Sequence, residues 1–282
     1  MQNDTWIAAA HMGTSLRVWV HAEGVVTPLL AQVGGTVTEA ALLELIHSHL
    51  RPDAVTPVIC AGLDVAGFVP VPAPPPNTAV AVESGDPRIA LLAVQGLSQQ
   101  KPADLMGAQA VQVAGFVDAF PDWDGVLCLT GPQSRWVHIS AGEVVSFQTY
   151  LTGEMFGLLG RQSVLGEAVQ SAAQDEAAFA QAVSDAMSRP ERVAGALYSL
   201  HAAVRAGAAR ADARGRLSGM LIGTELAAAR PYWLGQNVAL IGEGGQVARY
   251  GAALQAQGVP AQIHDGAEMT LRGLQQVRAK LV

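Results

Sequence analysis

Two separate stretches of this chain read as the same string of elements, and that repetition constrains its fold more than any single motif. In the first, the apolar run from Thr5 to Ala10 leads through Gly13-Thr14-Ser15 into Leu16 to His21, and Gly24 turns the chain into Val25 to Leu30, a three-stranded meander. Thr36-Val37-Thr38-Glu39 then has capping-box spacing, with the Thr36 hydroxyl set to accept from the amide of Glu39. Leu42, Leu43, Ile46 and Leu50 form a helical stripe that Pro52 stops, and Val55 to Ala61 reads as the next strand. The second pass runs through Gly125 to Thr130, Arg135 to Ser140 and Glu143 to Tyr150, with turns at Gly131-Pro132 and Ala141-Gly142 and a helix from Gly153 to Leu159. A meander followed by a crossover differs from the strict alternation of a dinucleotide-binding domain, so the expectation is an α/β chain of duplicated domains with mixed sheets, 1–115 and 116–282.

The rest of the chain fills in around this frame. Helices are expected at Asp175 to Met187, Glu191 to Ala209, Leu217 to Ala229, Gln246 to Gln257 and Glu268 to Lys280, and strands at Asn237 to Ile241 and Ala261 to His264. The proline-dense stretch from Pro70 to Asn77 reads as an extended loop. A length of 282 residues suits two domains, and 50% hydrophobic with only 15% charged residues excludes a disordered scaffold. A net charge of -7 without a basic block argues against nucleic acid as a partner. No run of apolar residues is long enough for a membrane span, and the N-terminus lacks the pattern of a signal peptide, so a cytoplasmic protein is expected. Cys60 and Cys128 lie in apolar strand-like runs and read as buried thiols, a pairing of the two being left open.

Five glycine-centred motifs could carry chemistry. Gly13-Thr14-Ser15 offers backbone amides and two hydroxyls to a phosphate, or is an ordinary hairpin turn; Gly131-Pro132-Gln133-Ser134 occupies the equivalent turn of the second pass. Gly242-Glu243-Gly244-Gly245, at a strand-to-helix junction, permits close approach of a ligand to unpaired helix amides, or is a tight connection; it matches neither a dinucleotide fingerprint nor a Walker loop. Gly153-Glu154 and Gly223-Thr224-Glu225 set carboxylates beside helix glycines, to bind a ligand or metal, or to cap or pair at a surface. Gly219 and Gly223, four apart, indicate close helix packing, and neither zinc-ligand spacing nor a nucleophile elbow is found.

Taken with Ser134-Arg135-Trp136-Val137, the run Phe147 to Phe156, Leu217-Ser218-Gly219-Met220-Leu221-Ile222-Gly223-Thr224-Glu225 and the strand-turn-helix from Val238 to Tyr250, these motifs give the chain a family likeness. It resembles the 2-dehydro-3-deoxygalactonokinase family of the sugar-kinase, heat-shock ATPase and actin superfamily. The resemblance implies two RNase H-like domains of actin-like ATPase architecture, ATP in the cleft, and phosphoryl transfer to a keto-deoxy sugar acid such as 2-dehydro-3-deoxygalactonate. On that basis ATP is expected at Gly13, Thr14, Ser15, Gly242, Gly244 and Gly245, Mg2+ at Glu225, and the sugar acid at Arg17, Thr149 and Glu154, with a homodimer admissible. Arg17 serves equally as a strand-end ion-pair partner. The sequence departs from the family where charge is needed: His11 stands near the place of the first loop's aspartate, and Met106-Gly107-Ala108-Gln109 replaces an Arg-Gly-Glu-Glu stretch. The turn after Gly62 is shortened to Leu63-Asp64-Val65-Ala66, where Asp64 is the nearby carboxylate to act as base, or caps the turn. The alternative implied is a member that binds nucleotide or sugar acid without transferring phosphate.

Overall fold

A computed structural model of the chain describes residues 5–33 and 38–281. Strands β1 (Trp6–Met12), β2 (Ser15–Ala22) and β3 (Val25–Gln32) form the expected antiparallel meander. Met12 pairs with Ser15, which leaves Gly13 and Thr14 as a two-residue turn, and Gly13 takes the positive φ of 63° that such a hairpin needs. Helix α1 (Glu39–Ile46) is capped two residues later than the capping box suggests: the Thr38 hydroxyl accepts from Ala41 N at 3.3 Å, while Thr36 lies outside the described residues. Glu39 instead accepts from the Ser84 hydroxyl and from Gly85 N. Strand β4 (Thr56–Ala61) returns parallel to β1, with Ile7 opposite Val58 and Ala10 opposite Ala61.

The next segment holds elements that the sequence pattern did not separate. They are β5 (Phe68–Pro70), β6 (Ala79–Val82), β7 (Ile89–Val94), β8 (Gly96–Gln100), β9 (Ala103–Met106) and α2 (Gln109–Ala119). One sheet has the order β3-β2-β1-β4-β7-β6, and β5-β8-β9 form a small second sheet. Between β5 and β6 the proline-rich stretch is extended as expected, but Ala73 is buried and bridges Val144.

The second pass builds β10 (Gly125–Leu129), β11 (Ser134–Ser140) and β12 (Glu143–Tyr150), followed by α3 (Thr152–Gln162), α4 (Gly166–Val169), α5 (Glu176–Ser188), α6 (Val193–Arg205), α7 (Arg210–Ala228) and α8 (Arg230–Trp233). Then come β13 (Val238–Gly242), α9 (Gly244–Gln255), β14 (Ala261–Asp265) and α10 (Gly266–Leu281). Their sheet runs β12-β11-β10-β13-β14, so a meander with a parallel crossover strand beside its first strand occurs twice. This is the α/β architecture with duplicated mixed sheets that the sequence pattern predicts. Helix α7 starts seven residues before the expected Leu217 because its early turns are polar. Its glycines are packing residues: a Cβ on Gly219 would run into the Phe179 carbonyl of α5, and one on Gly223 would lie 2.7 Å from that of Val183.

The chain divides into two compact units. One comprises Met1–Asp124, His138–Phe147 and His264–Val282, the other Gly125–Val137 and Gln148–Ile263. The first is built on Ile7, Leu16, Val18, Leu42, Ile46 and Val58 on one side of its sheet and on Trp6, Ala8, Ile59, Leu274 and Val277 on the other. The second is built on Trp136, Phe179, Ile222, Leu226, Leu240 and Tyr250. Cys60 and Cys128 are free thiols, both buried, and burial pushes the Cys60 thiol up to about 12.

Candidate functional site

In the second unit three of the glycine motifs meet. Strands β10 and β13 are parallel neighbours, with Leu129 opposite Ile241 and Thr130 N donating to Ile241 O at 2.8 Å, so the turn after β10 and the loop after β13 leave the sheet side by side. Gly242 packs on Thr130 so closely that a Cβ there would overlap the Thr130 hydroxyl. The start of α3 closes the third side: Glu154 N donates to Pro132 O at 2.7 Å, and a Cβ on Gly153 would meet the Gly131 carbonyl. From α9, Gln246 Nε2 donates to Gly131 O at 2.7 Å and ties the loop to the turn.

Helix α9 starts without a side-chain cap from Glu243, its N-cap residue. Gly244 has a φ of 63° and open space where a side chain would stand. One turn on, Arg249 is half-buried, its Nη1 lies 3.2 Å from where a Cβ on Gly245 would be, and its Nε is buried without a hydrogen-bond partner. Burial, and next the charge of Arg214, hold the Arg249 pKa below its usual value, against the pull of Glu176 and Tyr250. Arg214 itself lies over the Phe156 ring, 5.1 Å from its centre. Exposed amides, bare glycines and a cation with an unused donor suit a phosphate-bearing ligand. Arg249 and Gln246 were not singled out from the sequence; the available signal was helical spacing from Gly245, which sets Arg249 one turn along the same face.

The sequence reading assigns Glu225 to Mg2+. In the structure it is 2% exposed and its oxygens are occupied. Ser134 Oγ donates to Oε2 at 2.7 Å, Tyr250 OH to Oε2 at 2.6 Å and Trp136 Nε1 to Oε1 at 2.8 Å, with the Thr152 side chain a further partner. Burial raises the pKa of the acid, and the four donors oppose that rise. No group of three His, Cys, Asp or Glu side chains able to hold a metal occurs among the described residues. With its oxygens taken by these donors, the Glu225 carboxylate does not fit a Mg2+ ligand as it stands.

In the first unit, the ends of β1 and β4 and the start of α2 come together. A Cβ on Gly62 would lie 2.7 Å from His11 O and 3.1 Å from Ala108 Cβ, and Gln112 of α2 donates to Met12 Sδ and to Gly266 O. His11 Nε2 is buried without a hydrogen-bond partner among the described residues. The Gly13–Thr14 turn is tied down by Gln32: Thr14 Oγ1 donates to its Oε1 at 3.4 Å, and Gln32 Nε2 donates to Ser15 Oγ at 3.2 Å. Arg17, on β2, and Thr149, on β12, are half-buried and already have partners. Glu154, in the first turn of α3, is exposed, and the side chain of Asp64 lies outside what the structure describes.

The sequence profile of the 2-keto-3-deoxy-galactonokinase family matches residues 11–277. The chain belongs to this family. It is 31% identical over 291 residues to "Probable 2-dehydro-3-deoxygalactonokinase DgoK1" of Rhizobium meliloti (strain 1021), covering 95% of each chain. It is 25% identical over 267 residues to the 2-dehydro-3-deoxygalactonokinase of Escherichia coli (strain K12), covering 90% of each. The "Crystal structure of a putative 2-dehydro-3-deoxygalactonokinase protein from Sinorhizobium meliloti" superposes with a TM-score of 0.86 at 27% identity, over 98% of this chain and 99% of that one. The matched residues span most of both units. Among the described residues no helix is long and apolar enough to cross a membrane.

Proposed function

We propose that the protein is an ATP-dependent kinase of a keto-deoxy sugar acid, with 2-dehydro-3-deoxygalactonate as the substrate its relatives point to. One observation carries the nucleotide half of this reading. The uncapped start of α9, with Arg249 one turn along it, stands beside the turn after β10 and is tied to it through Gln246 and Gly131. Phosphate oxygens would accept from the amides of Gly244, Gly245 and Gln246 and from Arg249. Gly13, Thr14 and Ser15 remain candidates in the first unit for a further phosphate contact, and Arg17, Thr149 and Glu154 for the acid.

Phosphoryl transfer forms a bond from a sugar hydroxyl oxygen to the terminal phosphorus, breaks the bond from that phosphorus to ADP, and releases the hydroxyl proton to a base. Mg2+ enters this reading as the counter-ion of the nucleotide, held chiefly by phosphate and water oxygens. The work left to the chain is orientation and charge. His11, whose carbonyl and Cβ pack on Gly62 and whose Nε2 is buried without a partner among the described residues, is a candidate to hydrogen-bond an anionic oxygen. Asp64, in the turn after β4, is the candidate base.

The test is ADP release by purified protein with MgATP, with and without 2-dehydro-3-deoxygalactonate. Acid-dependent turnover of roughly 1 to 100 per second supports the kinase. A second reading, binding without transfer, is favoured by the histidine at position 11 and predicts saturable ATP binding with no acid-dependent ADP.

A further inference from the structure

Glu225 is an acid inside an apolar core. It sits on the face of α7 that also carries Ile222 and Leu226, which pack with Trp136, Phe179, Leu240 and Tyr250. Burying a carboxylate there is costly even when every oxygen is hydrogen-bonded, and a well-packed apolar side chain gives comparable or better stability. What an apolar side chain does not supply is fixed geometry. The donors come from separate elements: Ser134 and Trp136 on β11, Thr152 opening α3, and Tyr250 on α9.

Each of these elements forms one wall of the phosphate cradle. Ser134 directly follows the Gly131-Pro132-Gln133 turn, Thr152 directly precedes the Gly153 that packs on that turn, and Tyr250 directly follows Arg249. We propose that Glu225 is a positioning residue for the nucleotide: by accepting from β11, α3 and α9 at once, its carboxylate holds the turn after β10, the start of α3 and the start of α9 at the separation the phosphates require. This rests on the kinase reading and gives Glu225 a role through protein groups, in place of a metal-ligand role.

The test uses Glu225→Gln, which keeps the volume. Its amide oxygen accepts from Trp136 Nε1, and its NH2 faces the Ser134 and Tyr250 hydroxyls, which can rotate to accept. Tyr250→Phe removes one donor and keeps the carboxylate, so the proposal stays testable if the glutamine variant does not fold. For both, KM and the calorimetric Kd for ATP rise, about tenfold for Glu225→Gln, while kcat and the KM for the sugar acid stay within about threefold of wild type. Amide exchange quickens over 131–133 and 244–249 and stays slow in β10 and β13.

A lowered melting temperature with wild-type KM and wild-type exchange at those segments would make Glu225 a core residue only and overturn the proposal. A wild-type protein that neither binds ATP nor phosphorylates the acid overturns the kinase reading and the proposal with it. Wild-type activity together with unchanged ATP affinity in both variants overturns the proposal alone.

Discussion

Substituting Gly242 by alanine puts a methyl group where there is no room for one. The new Cβ overlaps the Thr130 hydroxyl and lies 3.2 Å from Thr130 Cβ and 3.4 Å from Thr130 O. Thr130 is pinned through its own amide to Ile241 O at 2.8 Å, so relief requires rotation of its side chain or separation of the two strand ends. Overpacking of this kind costs about 1–3 kcal/mol. At roughly 2–4 °C per kcal/mol for a chain of this size, the melting temperature falls by about 2–12 °C. Because the strain sits where the two loops leave the sheet, ATP affinity measured by calorimetry falls as well. Thr130→Ala removes the hydroxyl, whose bond to Ile241 O is weak at 3.4 Å, and by itself costs little. In the double variant most of the stability and affinity returns, a coupling that a double-mutant cycle reads directly. Losses that simply add, or a Gly242→Ala protein indistinguishable from wild type, would refute the close-approach argument.

Three further outcomes are expected. His11→Asp makes ATP binding more dependent on Mg2+, with the ratio of affinities measured with and without the ion growing about tenfold, because a carboxylate repels bare triphosphate and attracts its magnesium complex; an unchanged ratio counts against a place for His11 near the phosphates. Arg249→Met weakens ATP binding about tenfold without lowering the melting temperature, since it removes a half-buried cation with an unsatisfied donor; wild-type affinity would remove Arg249 from the cradle. Hydrogen bonds from Arg88, one of them 2.6 Å long, hold the Asp86 carboxyl down at about 2 from 3.8. The stability this pair adds is therefore fully present above pH 3.8 and lost as the pH falls toward 2. In thermal melts across that range Arg88→Met flattens the acid limb, and an equally steep limb would contradict the assignment.

The double meander was legible because alternating apolar strands with glycine turns carry a local signal, and β1 to β4 and β10 to β12 lie where the pattern sets them within a residue or two. The segment from β5 to α2 was not legible. Its strands are three to six residues long and several pair with partners distant in sequence, so their identity depends on tertiary pairing. The packing role of Gly219 and Gly223 could be read from their four-residue spacing. The environment of Glu225 could not, because its donors lie 25 to 91 residues away along the chain. A glutamate beside a helix glycine looks the same in sequence whether it faces solvent, a metal or the core.

Amide hydrogen exchange of the wild-type protein with and without MgATP reads directly where the nucleotide binds. If the second unit holds the nucleotide as argued, protection on adding MgATP concentrates in 130–133, in 152–156 at the start of α3, and in 242–249. Protection confined to other parts of the chain, with these three segments exchanging as they do in the free protein, would contradict it.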